Sequence, residues 1–240
     1  MKKQSCSGLR VWTVLWTVGL VMAPLAAAEF WEKKDFQQWT EKDCTKLLTS
    51  SPWAHSNSFR RNANIGSTFT GERETTEIIY FRVLSARPVR MALARLQLLE
   101  RPDDEALRQQ VEAFLASPQG DQIVIQISYK GIPGTTPQLH ELHRFFGQAT
   151  LAAFHGNTTL SSKEVTVPIR EYLPWGPGRP NAAFVFPRFD ESGKPYFDGS
   201  EDSITLRSEF EVPMTDGTRE YAIHVKMKPK DMVFQQEFAF

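Results

Sequence analysis

Cysteine is scarce: only Cys6 and Cys44 occur in 240 residues. Cys6 falls in a stretch that reads as a removable leader, which leaves one thiol and no internal disulfide. Stability then has to come from packing. No Cys follows the small residues that end the leader, which argues against a lipid-anchored lipoprotein. An excess of either charge is missing too, since 28 basic residues balance 28 acidic ones and neither sign forms blocks. This speaks against the clustered basic face of a nucleic-acid binder and the polybasic segment or basic amphipathic helix that holds an anionic membrane. The chain also lacks a Gly-x-Ser-x-Gly elbow, a phosphate loop and a dinucleotide fingerprint. The long apolar run that does occur, Val11 to Met22, is too short to span a bilayer comfortably.

That run gives the most informative pattern present. Met1-Lys2-Lys3 precedes it and Ala26-Ala27-Ala28 follows, the basic start, apolar middle and small-x-small end of a secretory signal peptide. Residues 1–28 are therefore expected to be a leader, and the protein is expected to be secreted or periplasmic with no transmembrane segment after cleavage. Cleavage takes Lys2, Lys3 and Arg10 from the 28 basic residues and none from the 28 acidic ones, leaving three net negative charges. The alternative is an uncleaved anchor with Trp12 and Trp16 at the bilayer interface; the fit of Ala26-Ala27-Ala28 to a cleavage site favours removal. The remainder is of a length that makes one main domain with a small appendage. The expected division is an aromatic-rich helical clasp over residues 29–56 and a single α+β domain over 57–240.

In the clasp, Thr40-Glu41-Lys42-Asp43 predicts a helix start with a reciprocal cap. Cys44, Leu47 and Leu48 share the next face, and Ser50-Ser51-Pro52 ends the helix. Trp31, Phe36, Trp39 and Trp53 surround it with more aromatic surface than so short a helix covers. Two readings stand: a clasp packed on the main body, which the usual fate of large aromatics favours, or an aromatic platform for a ligand. Cys44 reads as a small buried hydrophobe rather than a nucleophile served by His55.

Further on, Asn57 to Glu74 reads as a long loop or irregular strand and Thr76 to Leu84 as a strand. Helical stripes follow at Val89, Ala92, Leu93, Leu96 and Leu99, then at Leu107, Val111, Phe114 and Leu115. Ile123, Ile125, Ile127 and Tyr129 alternate as a half-buried strand, and Thr136-Pro137 opens a helix striped by Leu139, Leu142, Phe146, Ala149 and Ala153. After Asn157 the signals are strands: Lys163 to Tyr172, Ala183 to Phe189, Ser203 to Val212, Arg219 to Lys228 and Met232 to Phe240. Asp190-Glu191-Ser192-Gly193 and Thr215-Asp216-Gly217 supply hairpin turns. The expected fold is α+β, an antiparallel or mixed sheet with helices packed on one face. The alternative is a β-sandwich with a helical insertion.

Trp39-Thr40-Glu41, Leu47-Leu48-Thr49-Ser50-Ser51-Pro52-Trp53-Ala54, Ser85-Ala86-Arg87-Pro88-Val89-Arg90, Phe186-Pro187-Arg188 and Lys230-Asp231-Met232-Val233 together resemble a family of uncharacterised secreted bacterial proteins. The resemblance implies export and a shared fold, and it brings no activity and no catalytic residue.

Few constellations carry chemistry. His140 and His143 are weak metal candidates, because their spacing of three misses the four-position spacing of the zinc-protease signature and no third ligand accompanies them. Asp198, Glu201 and Asp202 lack the ligand spacing of a calcium loop and read as a solvated acidic loop. Leu173-Pro174-Trp175-Gly176-Pro177-Gly178-Arg179-Pro180 is a stiff loop that either displays Trp175 and Arg179 as an interface anchor or sugar platform, or folds Trp175 back over a core end. The functional expectation is a non-catalytic binding or structural module of the cell envelope. It would act through Trp175 and Arg179 or through Trp31, Trp39 and Trp53, with another envelope protein or a glycan as partner and no cofactor, metal or nucleic acid. The alternative is a hydrolase whose acid and base meet only in the fold, for instance Glu141 or Asp190 with a histidine.

Overall fold

The computed structural model describes residues 29–63, 73–117, 120–131, 136–177, 179–215 and 217–240. The leader and Asp216 therefore lie outside the described residues. The architecture is α+β. Helix α1 (Phe30–Lys33) leads through a short 3-10 turn to α2 (Glu41–Thr49), whose cap forms as expected: Asp43 N–H donates to Thr40 Oγ1 at 3.2 Å, and Thr40 N–H donates to the Asp43 carboxylate at 3.1 Å. Strands β1 (Ala54–Ala63) and β2 (Arg73–Val83) follow, then α3 (Arg87–Glu100) with Pro88 in its first turn and α4 (Glu105–Ala116), capped by Asp104. Next come β3 (Gln122–Gly131) and α5 (Thr136–Gln148).

The remaining strands are β4 (Thr158–Ser161), β5 (Thr166–Pro168), β6 (Glu171–Leu173), β7 (Ala182–Pro187), β8 (Ile204–Met214), β9 (Gly217–Met227) and the pair β10 (Val233–Phe234) and β11 (Glu237–Phe238). They form two main antiparallel sheets, ordered β1-β2-β3-β7-β6 and β5-β4-β8-β9, plus the two-residue hairpin. Every strand pairing among the described residues is antiparallel. Several expected strands change shape. Lys163 to Tyr172 is not one strand, because the chain leaves the second sheet after Pro168 and joins the first at Glu171. Met232 to Phe240 doubles back at Gln235 and Gln236, both in left-handed conformations at φ 51° and 67°, the backbone a tight hairpin needs but that glutamine rarely signals. Of the stretch Asn57 to Glu74, residues 57–63 continue β1 and Arg73 and Glu74 begin β2, as the strand alternative expects, and residues 64–72 lie outside the described ones.

The two sheets share one core. A run of rings crosses it: Tyr129 of β3 stacks on Phe146 of α5, Phe146 meets Phe210 of β8 edge-on, Phe210 stacks on Tyr221 of β9, and Tyr221 meets Phe59 of β1 at 5.1 Å. Helix α5 thus serves both sheets. The inward faces of β8 and β9 are those the alternation predicts, with Ile204, Leu206, Phe210 and Val212 buried beside Tyr221, Ile223, Val225 and Met227. On their outward side Arg207 lies opposite His224 and Glu211 opposite Glu220, so these facing positions do not pair opposite charges.

One charge lies inside this seam. Glu77 of β2 is 1 % exposed, and its carboxylate accepts from the Tyr221 hydroxyl at 2.6 Å and pairs with Arg219 at 3.0 Å. A buried carboxylate that loses a donor bears its desolvation cost uncompensated. Tyr221→Phe, which keeps the ring and removes the hydroxyl, is expected to lower stability by about 2 kcal/mol. The reading is the urea midpoint at constant slope, and an unchanged midpoint would mean that Arg219 alone satisfies Glu77.

Candidate ligand-binding cleft

Helices α3 and α4 face each other with matching stripes. Arg90, Leu93, Ala94 and Gln97 sit at i, i+3, i+4 and i+7 on α3, the spacing that places four side chains on one helix face. On α4, Leu107, Gln110, Val111 and Phe114 repeat that spacing. Together with Leu84 and Val124 from the sheet they enclose a cleft of about 720 Å³, within the range of small-molecule sites. Its mouth is not a source of loose backbone groups: Leu84 N–H donates to Val124 O at 2.7 Å, and Val124 N–H donates to the Ser85 hydroxyl at 3.2 Å.

Ser85, Gln97, Gln110, Asp121 and Gln122 also line the cleft, and the cation among its walls is Arg90. Its guanidinium lies over the Phe114 ring, 5.0 Å from the centroid, while Phe114 itself remains 48 % exposed. The Nε of Arg90 is buried and has no hydrogen-bond partner. Burial, helped by the neighbouring charge of Arg87, holds the Arg90 guanidinium below its ordinary value. Arg188 stands close enough to feel the same field. Burial foremost, then the charge of Arg90, pushes Arg188 down to about 10, partly offset by Asp121. Arg188 spends its donors on backbone: Nε to Gly120 O at 2.9 Å, Nη2 to Gln122 O at 3.1 Å and to Phe240 O at 2.7 Å.

In two other hollows several polar groups are already bonded. A space of about 840 Å³ on another flank of α3 and α4 is bordered by Arg95, which donates to Trp39 O, and by Arg108, which pairs with Glu105 and donates to Pro102 O. In the acidic loop near Ser162, Asp190 accepts from the backbone of Ser192 and Lys194, Asp198 from Ser200, and Glu201 from the N–H groups of Asp198 and Gly199. The Ser192 and Ser200 hydroxyls foremost, with these backbone bonds, hold the Asp190 and Asp198 carboxyls below their ordinary values and close turns.

The residues singled out in the sequence are placed as follows. Trp31, Trp39 and Trp53 are buried; Trp31 meets Trp53 edge-on at 5.6 Å, Trp39 is flanked by Phe30 and Phe36, and Trp53 donates through its indole N–H to Ala239 O. Their faces are occupied by the protein's own rings, the arrangement of a clasp. Trp175 folds back onto α5, stacked on His143 at 4.0 Å with its Nε1 donating to His143 O at 2.6 Å. Arg179 stays exposed and donates to Pro174 O at 3.0 Å. His143 also bonds through Nδ1 to the Tyr129 hydroxyl, so it joins Tyr129 and Trp175 instead of His140, which is exposed. Among the described residues no group of three or more His, Cys, Asp or Glu side chains is placed to hold a metal. Glu141 accepts from both the N–H and the hydroxyl of Thr215 and thereby holds the turn between β8 and β9. Phe114 belongs to the expected stripe of α4, whereas Arg90 lies outside the expected stripe of α3 and enters the sequence analysis only through the Ser85-Ala86-Arg87-Pro88-Val89-Arg90 motif. The signal available was an arginine at i on a face continued by Leu93 and Ala94, a charge where the helix pattern calls for an apolar residue.

Two outcomes follow from these placements. A Cβ built on Gly147 would lie 2.5 Å from the Trp175 ring, so Gly147→Ala is expected to drive the indole off α5, red-shift its fluorescence and lower stability by about 1–3 kcal/mol; an unshifted spectrum would refute the packing. Burial also pushes the Cys44 thiol up to about 11 from 9.0. The folded state therefore favours the neutral thiol. Stability from this group is complete below pH 9 and is lost as pH rises from 9 toward 11, because only the unfolded chain ionises there. Cys44→Ala should flatten the alkaline limb of a denaturation series, and an identical limb would contradict the burial. No known protein family, curated protein or solved structure matches the chain, so what the cleft takes has to follow from its own chemistry.

Proposed function

We propose that the protein is an exported, non-catalytic binding module of the cell envelope, and that its ligand enters the cleft between α3 and α4. The observation that carries this reading is the buried, unpartnered Nε of Arg90 at a space of ligand size whose walls combine apolar side chains with glutamines. Buried donors are satisfied in the great majority of proteins, and a donor held open beside Phe114 is what a ligand would complete. Export is supported by the leader pattern of residues 1–28 and by the family resemblance; among the described residues no helix is long and apolar enough to cross a membrane. A hydrolase is less well supported, since Glu141 holds Thr215 and Asp190 closes its own turn. An envelope protein or a glycan at the Trp175 loop has the exposed Arg179 and the uncovered part of the indole in its favour.

A neutral solvatochromic dye such as Nile red tests the cleft without regard to charge. The purified protein is expected to bind it saturably at one site. Gln110→Trp, made at an exposed position on the rim, should weaken binding roughly tenfold by filling the space, the cost of about 1.4 kcal/mol, with the thermal midpoint unchanged. Binding that is absent in the parent, or equal in the variant, would overturn the assignment.

A further inference from the structure

We propose that the ligand is a single-chain amphiphile with a carboxylate head, its tail lying between α3 and α4 and its head on the guanidinium edge of Arg90. This rests on the reading of the cleft as the binding site. The cleft is graded along its length. From Arg90 to Gln97 the α3 face runs about 10 Å at 1.5 Å per residue. Arg90 and Phe114 mark one end, and Ala94 packs with Leu107 and Val111 in the middle. One end is cationic, and Leu93, Ala94, Leu107 and Val111 give the body an apolar stripe flanked by the exposed Gln97 and Gln110, the division of a fatty acid.

Charge at that end is positive. Arg90, the cation in the walls, feels the charge of Arg87 and in turn acts on Arg188, neither of which lines the cleft, and the exposed Asp121 is the carboxylate that does. Burial and the like charge of Arg87 both work against the Arg90 guanidinium, and an anion on its edge relieves both. Geometry narrows the head further. The Phe114 ring covers one face of the Arg90 guanidinium, which leaves its edge for a ligand, and a planar carboxylate meets that edge with two parallel hydrogen bonds. An alcohol satisfies less of it, and a quaternary ammonium sets a like charge against it.

Displacement of Nile red at neutral pH by decanoate, decanol and decyltrimethylammonium, each below micelle-forming concentrations, separates the two layers of the argument. Decanoate is expected to displace the dye at a concentration roughly tenfold lower than decanol, the scale of one charge-assisted hydrogen bond, with decyltrimethylammonium weakest. Arg90→Gln should abolish the preference, with decanoate losing far more affinity than decanol, and Arg90→Lys, which keeps the charge without the fork, should retain part of it. Equal displacement by all three, or a decanoate preference that survives Arg90→Gln, would overturn the head-group assignment while the cleft itself stands. Absence of one-site dye binding in the parent protein would overturn the cleft.

Discussion

The Glu77 carboxylate is the constraint around which the two sheets are arranged. It sits on β2 in one sheet and is satisfied from β9 in the other, by the Tyr221 hydroxyl and the Arg219 guanidinium. A buried ion tolerates little displacement of its partners, because each lost hydrogen bond exposes it to a medium that solvates it poorly. The apolar rings around it would pack in several registers at similar energy. The carboxylate selects the one in which Tyr221 stacks on Phe210 and meets Phe59. With no disulfide to fix the relative position of the sheets, a charged pin inside an aromatic seam supplies the specificity that burial alone lacks.

The second fastening lies at the opposite end of the first sheet. Trp53, at the entry to β1, and Arg188, just past β7, both reach the last two residues of the chain, holding the carbonyls of Ala239 and Phe240. The same arginine binds Gly120 O and Gln122 O where α4 has ended and β3 begins. One guanidinium therefore ties three separate chain segments beside the cleft. Arg90, which acts on it electrostatically, keeps its Nε buried without a partner.

Much of the architecture was legible, for reasons that differ by element. The cap at Thr40, the stripes of α3 and α4 and the alternation of β8 and β9 are local patterns, and local patterns survive whatever the rest of the chain does. The misjudged segments are those where tertiary demands override propensity. Lys163 to Tyr172 reads as one strand because nothing in it breaks, yet Ile169 and Arg170 carry the chain between sheets. Gln235 and Gln236 turn a hairpin without glycine or asparagine, so the turn had no signature. The cleft was invisible for a further reason: each stripe, taken alone, is what any helix shows toward a core, and a hollow between two such faces is a property of the pair.

The fate of the two arginine–aromatic pairs separates display from binding. The sequence advertised Trp175 and Arg179 on a stiff loop, but an indole left in water forgoes the burial energy of one of the largest side chains, and here Gly147 opens the surface of α5 so that Trp175 lies against it. Arg90 and Phe114 take the reverse course. Both belong to helix faces that ought to close on each other, yet Phe114 stays half in solvent and the Arg90 Nε stays dry and unpaired. Closing the helices would bury a guanidinium with no counter-ion, while opening them would strand Leu93, Ala94 and Val111 in water. The cleft is the compromise between those two costs, and a ligand that is apolar along its body and anionic at one end removes both.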